Sequence, residues 1–154
     1  MLKERNMNNG KSQLIERAIE IALKAHIGQV DKAGDPYILH PLRVMLAMRT
    51  ETERIAAVLH DVVEDSDWTL EALRLKGFPA QVIAAVDHLT RRKEEKTYEA
   101  FIHRAGQHPI ARRVKLADLQ DNMDIRRIRQ LKDKDIKRLK KYHQAWLELC
   151  SSPG

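Results

Sequence analysis

The chain is poor in cysteine and in long apolar stretches, and each shortage excludes a class of protein. Its single cysteine, Cys150, has no second cysteine with which to form an internal disulfide, so the default expectation is a reducing, cytoplasmic compartment. No stretch reaches the roughly 18 to 20 apolar residues of a membrane span, and the first residues lack a signal peptide's apolar segment. The sequence therefore predicts no membrane partner.

Aromatic residues are also scarce, at 5% of the chain, although the net charge is +6. Much of the basic excess lies in residues 126–143, where acidic residues are interspersed. Such a run is usually a solvated helix face, and it can also create a positive field that attracts phosphorylated substrates. Non-specific nucleic-acid surfaces stack bases on aromatic side chains. The scarcity of these side chains argues against nucleic acid as the partner.

Strand-like alternation, internal repeats and low-complexity tracts are missing as well. Apolar residues instead recur at helical spacing, with Ser12 and Thr69 as predicted N-caps and Pro41 and Pro109 in first turns. The predicted helices span residues 13–27, 41–48, 51–64, 69–76, 79–89, 98–105, 109–128 and 134–149. We therefore predict an all-α protein, with a flexible lead-in over residues 1–10 and one helical-bundle domain over residues 11–150.

Residues 55–65, IAAVLHDVVED, are the most informative stretch. On a helix that turns about 100° per residue, His60, Asp61, Glu64 and Asp65 fall within roughly 140° of one another, and the apolar residues fall on the other side. Three carboxylates without a basic neighbour repel one another, and a divalent cation would turn that repulsion into attraction. The stretch is either a solvated helix face or a metal site, and its residues alone leave both interpretations open.

Two further segments carry polar residues that suit such a site. His40 stands at the start of a predicted helix, where it is either a buried capping residue or a rigidly held ligand. Lys115, Asp118 and Asn122 form a narrow stripe on the helix predicted over residues 109–128. That stripe is either an ordinary network of side chains three and four positions apart or part of a site.

Taken together, His40, the His60–Asp61 pair and Asp118 resemble the H…HD…D pattern of the HD superfamily of metal-dependent phosphohydrolases. Three segments occur in order: GQ-x4-G-x-PYI-x-HP, AAVLHDVVED and VKLAD-x3-NM. They resemble the hydrolase domain of RelA/SpoT-type alarmone enzymes and their small stand-alone versions. The resemblance covers about residues 12–130 and implies an all-helical hydrolase of phosphate or pyrophosphate esters.

The resemblance also implies roles for individual residues. The implied ligands of one divalent cation, normally Mn²⁺, are His40, His60, Asp61 and Asp118. Glu64 and Asp65 match the pair that orients or deprotonates the attacking water. The implied partner is a phosphorylated, nucleotide-like small molecule. The positions that match its neighbours are Lys32, Tyr37, Tyr98, Lys115 and Asn122.

Two departures from the family pattern concern the substrate. Alarmone hydrolases have a basic residue, usually arginine, where this chain has Asp31, and that side chain helps to hold guanine. In the last segment, Leu119 stands in place of an arginine and Asp121 in place of a histidine. The positions that match the metal ligands and the water-activating pair are unchanged. The departures therefore bear on which substrate is bound and not on the hydrolytic chemistry.

The leading candidate activity is removal of the 3′-pyrophosphate from guanosine 3′,5′-bis(diphosphate). One alternative is an HD hydrolase for another nucleotide or small phosphate ester, and another is a non-catalytic sensor that binds a metal or nucleotide. The presence of Glu64 and Asp65 argues against the sensor, because a pure binder needs no base beside the metal. The sequence is compatible with a homo-oligomer, and it leaves open the role of the basic C-terminal helix.

Overall fold

The computed structural model describes the backbone of residues 2–151 and the side chains of residues 13–151. No strand forms within this range, which confirms the all-α class, and an isolated bridge joins Val30 to Pro36 in a loop. A short 3₁₀ segment spans Ile125–Arg127. The α-helices are α1 (Leu2–Ala25), α2 (Leu39–Leu46), α3 (Glu51–Leu59), α4 (Val62–Asp65), α5 (Leu70–Leu75), α6 (Ala80–Leu89), α7 (Tyr98–Gly106), α8 (Pro109–Asn122) and α9 (Asp133–Ser151). None of these helices combines the length and apolar character needed to cross a bilayer.

The main hydrophobic core is arranged around α3. Ile55, Val58 and Leu59 are almost completely inaccessible to solvent, and α3 packs against α1, α2, α6 and α8. Burial of these apolar side chains is the dominant stabilising contribution of the element. It also holds the C-terminal end of α3 in the interior, directly before His60.

The start of α3 is fixed by reciprocal hydrogen bonds between Thr50 and Glu53. The Thr50 hydroxyl accepts from the Glu53 N–H at 3.2 Å, and the Glu53 carboxylate accepts from the Thr50 N–H at 3.2 Å. The same carboxylate lies 2.6 Å from Nε of Arg113 on α8. Glu53 therefore ties two helices of the core together.

A second, smaller core attaches α9 to α7 and α8. Its buried residues are Phe101, Ile102, Leu119, Ala145 and Leu149. Because α7 and α8 also pack against α6, this cluster places the basic C-terminal helix beside the rest of the bundle.

Among the predicted helix boundaries, the start of α1 and the end of α8 were wrong. α1 begins at Leu2, so Ser12 lies inside the helix and not at its N-cap, and residues 2–12 contain no proline that would stop the helix. α8 ends at Asn122, well before residue 128, because the Asp124 carboxylate accepts from the Arg126 N–H and caps a separate 3₁₀ segment. The proposed division between a lead-in and a domain at residue 10 stays a prediction.

Candidate active site

The helix predicted over residues 51–64 is interrupted at His60 and Asp61, and the prediction of one continuous helix was wrong. On a regular helix neighbouring side chains point about 100° apart. At the interruption Asp61 adopts φ −103° and ψ −3°, and its Oδ2 lies 3.0 Å from Nε2 of His60. The interruption lets two consecutive side chains meet at one point.

The predicted metal ligands come together at this point. Ligand atoms of His40, His60 and Asp61 all lie within 4.8 Å of one another, and both imidazoles are buried. Oδ1 of Asp118 lies 3.0 Å from Nε2 of His40 and 3.6 Å from Nε2 of His60. The start of α2, the α3–α4 junction and α8 thus each supply part of one cluster.

The His60 imidazole is oriented as a metal ligand requires. Its Nδ1 lies 2.6 Å from the carbonyl oxygen of Ala57, which can only accept, so the ring proton lies on Nδ1. Its Nε2 is buried and makes no well-formed hydrogen bond with any described residue. Nε2, which faces the carboxylates, is therefore the ring nitrogen available to bind a divalent cation.

The His40 imidazole is held by Asp121, a residue that the sequence analysis related only to the choice of substrate. Nδ1 of His40 lies 2.6 Å from Oδ2 of Asp121. Asp121 also accepts from Nε of Arg43 at 2.7 Å and from Nη2 of Arg127 at 3.3 Å. The sequence signal for this role is its position three residues after Asp118, which puts both carboxylates near one face of α8.

Electrostatics keep the clustered carboxylates ionised. Burial opposes the charge of Asp61, but the neighbouring His60 outweighs it and lowers the pKa of Asp61 to about 2. Burial likewise opposes the charge of Asp118, whose pKa is held well below its usual value by Lys115, His40 and His60. Two anions and two imidazoles therefore face one small volume, and this donor set fits a divalent cation.

The predicted catalytic pair, Glu64 and Asp65, lies on α4 at the mouth of this cluster. Partial burial and the charge of Asp61 raise the pKa of both carboxyls. The Glu64 carboxylate accepts a short hydrogen bond from the Arg91 N–H, and the Asp65 carbonyl accepts from Nε2 of Gln29 at 3.2 Å. A carboxylate with a raised pKa is better suited to accept a proton near neutral pH.

A cavity of about 400 Å³ opens beside the cluster, and all five predicted substrate residues line it. Three of them also contact the predicted metal ligands. The Tyr37 hydroxyl donates a short hydrogen bond to Asp61. Nζ of Lys115 and Nδ2 of Asn122 each lie 2.7 Å from an Asp118 oxygen. Lys32 and Tyr98 line the cavity as well.

Sequence analysis missed much of the outer wall of the cavity. α9 contributes Arg138, Lys141 and Tyr142, and Nζ of Lys141 lies 4.6 Å from the ring centre of Tyr98. The basic run of residues 126–143 signalled positive charge, but only the packing of α9 reveals which side chains face the cavity. The missed lining residues include Arg91, Phe101, Arg127, Arg138, Lys141 and Tyr142.

Asp31, the residue that departs from the family pattern, also lines the cavity. Its carboxylate accepts from the N–H groups of Ala33 at 2.8 Å and Asp35 at 3.0 Å, and it lies 3.1 Å from Nη1 of Arg127. Asp31 therefore shapes its own loop, and Arg127 brings a guanidinium to the same place from another part of the chain.

Comparisons with known proteins show the family to which the chain belongs. A family model described as "HD domain" matches residues 18–128. A probable GTP pyrophosphokinase of Mycobacterium leprae is 37% identical over 123 residues, which cover 71% of this chain and 15% of that protein. A guanosine-3′,5′-bis(diphosphate) 3′-pyrophosphohydrolase of Aquifex aeolicus is 36% identical over 121 residues, which cover 71% of this chain and 17% of that protein.

A solved structure supports the fold. It is described as a metazoan ortholog of SpoT that hydrolyzes ppGpp and plays a role in starvation responses. It aligns with a TM-score of 0.74 and 23% identity, covering 90% of this chain and 86% of that one. The chain spans less than a fifth of the length of the two curated relatives, and the family model covers most of the chain. The chain therefore belongs to the HD domain family, with hydrolase domains of the RelA/SpoT type among its relatives.

Proposed function

We propose that the protein is a metal-dependent phosphohydrolase that removes the 3′-pyrophosphate from guanosine 3′,5′-bis(diphosphate). The observation that carries the proposal is the convergence of His40, His60, Asp61 and Asp118 on one buried point. Similar proteins named for this activity, in Aquifex aeolicus and Vibrio cholerae, support the substrate.

The proposed cofactor is one Mn²⁺ ion. His40, His60, Asp61 and Asp118 would hold it, because two imidazoles and two carboxylates suit a six-coordinate divalent ion. When bound, the ion polarises a phosphoryl oxygen and lowers the pKa of a water molecule. Tyr37 supports this centre by donating to Asp61.

The protein's own groups then have distinct tasks. Glu64 or Asp65 accepts the proton of the attacking water, since both carboxyls lie at the mouth of the cluster with raised pKa values. Lys115 keeps its charge: although burial opposes it, Asp118 raises the pKa of the ammonium group above its usual value. That cation stabilises negative charge that grows on the phosphate. Asn122 fixes Asp118, and Lys32 and Tyr98 contact the nucleotide.

A second candidate is an HD hydrolase that acts on another phosphorylated nucleotide. The observation that favours it is Asp31, an acid on the cavity wall where alarmone hydrolases carry a basic residue. The contact between Asp31 and Arg127 supports the alarmone substrate, because it compensates the acid and supplies a guanidinium to the same part of the cavity.

The test is phosphate and pyrophosphate release by the Mn²⁺-loaded protein, with Asp61→Ala beside it. The panel contains guanosine 3′,5′-bis(diphosphate), GTP, GDP, deoxynucleoside monophosphates and simple phosphate esters. Pyrophosphate from the first compound alone supports the proposal, and turnover of another panel member supports the second candidate. Absence of metal-dependent turnover on the whole panel would contradict both and favour a sensor.

A further inference from the structure

The turn that follows α1 is built around Gln29. α1 ends at Ala25, and Gly28 has a positive φ of 77°, a conformation that glycine adopts without strain. The turn directs the Gln29 side chain back to α1 and across to α4. Its Nε2 donates to the carbonyl oxygen of Ala25 at 3.3 Å and to that of Asp65 at 3.2 Å. The two N–H groups of the amide thus each have an acceptor, and one of them holds the last residue of α4.

His26 fixes the orientation of that amide. Because Nε2 of Gln29 donates to two carbonyl groups, the amide oxygen Oε1 faces His26 and lies 2.9 Å from its Nδ1. An amide oxygen can only accept, so the ring proton of His26 lies on Nδ1. The other ring nitrogen, Nε2, is buried and has no hydrogen-bond partner in the part of the chain that the structure describes. Within that part of the chain, the imidazole therefore has one polar task, which is to donate to Gln29.

The main chain of Gln29 makes a second link to the candidate active site. Its carbonyl oxygen accepts from the Tyr37 N–H at 2.9 Å, and the Tyr37 hydroxyl donates to Asp61. The Tyr37 ring packs against His26, with 4.9 Å between the ring centres. Gln29 therefore connects two parts of the site, the metal cluster through Tyr37 and the end of α4 through Asp65.

α4 depends on outside contacts because it is a single turn. It spans Val62–Asp65, and the proposed bases, Glu64 and Asp65, lie at its C-terminal end. Helix formation is cooperative, so a helix of this length is not stable by itself. The hydrogen bond from Gln29 therefore helps to set where the two carboxylates lie relative to the metal cluster.

We propose that Gln29, held in place by His26, is a positioning residue that fixes the catalytic pair on α4 relative to the metal cluster. The proposal rests on the proposed function and deepens it. Displacement of a catalytic group by about 1 Å can lower a rate by about 100-fold. Loss of the Gln29 contact should therefore lower kcat. It should change KM and the affinity for Mn²⁺ little, because neither Gln29 nor His26 lines the active-site cavity.

Two substitutions of His26 separate hydrogen bonding from packing. His26→Phe keeps a ring and lacks the N–H donor, whereas His26→Asn is smaller but places an amide N–H near the position of Nδ1. Packing alone predicts that His26→Phe is tolerated better, since His26→Asn leaves a cavity. The positioning role predicts the opposite order of activity.

We expect kcat for guanosine 3′,5′-bis(diphosphate) to fall roughly 10- to 100-fold in His26→Phe and to be largely recovered in His26→Asn, with KM little changed in both. The matched control is His88→Phe, because the half-buried His88 also has Nδ1 beside a backbone carbonyl, that of Ala84 at 2.8 Å, and lies outside the cavity lining. The control should keep the wild-type kcat. A kcat of His26→Phe equal to or above that of His26→Asn would overturn the inference.

A second experiment uses the metal-free protein and needs no substrate. Gln29→Met keeps the length of the side chain and removes its hydrogen bonds to the two carbonyl groups. Amide hydrogen exchange, followed by NMR, should become roughly tenfold faster at the Asp65 N–H, which donates to the Asp61 carbonyl, and stay unchanged in α6. Gln144→Met, at an exposed position on α9, is the control. Unchanged exchange at Asp65 in Gln29→Met would overturn the inference.

The wild-type protein provides a third readout, the tautomer of His26. In mildly alkaline solution, where imidazoles are neutral, ¹⁵N NMR should show the proton on Nδ1 and none on Nε2. The opposite tautomer would overturn the inference and leave the proposed function standing. Wild-type protein that hydrolyses no nucleotide would overturn the proposed function and the expected effect on kcat, whereas the exchange and tautomer measurements would still decide whether His26 and Gln29 hold α4.

Discussion

At the scale of single residues, the two imidazoles of the candidate metal centre are oriented by different kinds of acceptor. A backbone carbonyl, that of Ala57, holds His60, and a side chain, Asp121, holds His40. Arg43 and Arg127 in turn hold Asp121. The orientation of His40 can therefore be altered by substitution of a residue that does not itself face the metal.

Asp121→Asn should lower the affinity for Mn²⁺ by roughly 10- to 100-fold. The amide has one acceptor oxygen and no charge, so it cannot serve His40 and both arginines together. Isothermal titration of Mn²⁺ into the metal-free protein measures the effect. Asp133→Asn, at an exposed position on α9, is the control. Unchanged affinity in Asp121→Asn would contradict the orienting role.

Glu64→Gln should reduce kcat by roughly 10²- to 10⁴-fold while the affinity for Mn²⁺ stays within about twofold. The raised pKa of Glu64 sets the sign of the pH dependence, because the base must be ionised to accept a proton. Wild-type kcat should fall as pH decreases through that raised pKa. The pH profiles of wild type, Glu64→Gln and Asp65→Asn measure this. If the fall in kcat at low pH persists in Glu64→Gln and disappears in Asp65→Asn, the base is Asp65 and not Glu64.

At the scale of the elements, helical periodicity predicted the helices but not where the chain departs from them. The apolar spacing of residues 55–63 continues through His60, so the pattern alone predicts one helix. The interruption depends on His60 and Asp61 meeting other side chains, which is a tertiary effect. In contrast, the local cap at Thr69 was predicted correctly, because its hydroxyl accepts from the Ala72 N–H three residues away.

For the candidate site, too, the sequence indicated some residues and missed those whose role depends on tertiary contacts. The resemblance identified His40, His60, Asp61 and Asp118, and the structure brings them together from three parts of the chain. It did not identify the orienting role of Asp121, because that role depends on a contact with α2, far away in the sequence. The contribution of α9 to the cavity was missed for the same reason.

Glu53→Ala should lower the free energy of unfolding by about 2 kcal/mol at neutral pH, because it removes hydrogen bonds at the start of α3 and a contact with Arg113. Burial raises the pKa of Glu53, but the N–H groups of Thr50 and Arg49 and the charge of Arg113 lower it overall. This stabilisation is complete above the unfolded-state pKa and is lost as pH falls through the lower folded-state pKa.

Urea unfolding at about pH 7 and at about pH 3 tests this prediction. The difference between wild type and Glu53→Ala should narrow in acid. Glu94→Ala, at an exposed loop position, should leave the unfolding free energy nearly unchanged at both pH values. An equal difference at both pH values would show that the carboxylate charge contributes nothing.

At the scale of the whole molecule, the metal cluster joins α2, the α3–α4 junction and α8. A cation that binds only this folded arrangement stabilises the whole protein. We expect saturating Mn²⁺, at about 100 times Kd, to add about 2.7 kcal/mol and to raise Tm by roughly 5 to 10 °C relative to protein in EDTA. Scanning calorimetry measures the shift. Asp61→Ala should abolish it, and an equal shift in that variant would place the ion elsewhere.

The family model ends at residue 128, and α9 begins at Asp133. The residues proposed to perform hydrolysis lie before that limit, whereas Arg138, Lys141 and Tyr142 of the cavity wall lie beyond it. Part of the cavity wall is thus encoded by a stretch of the gene that is separate from the residues proposed to perform hydrolysis. Exchange of α9 between relatives would consequently rebuild one wall of the cavity and leave the residues proposed to perform hydrolysis in place.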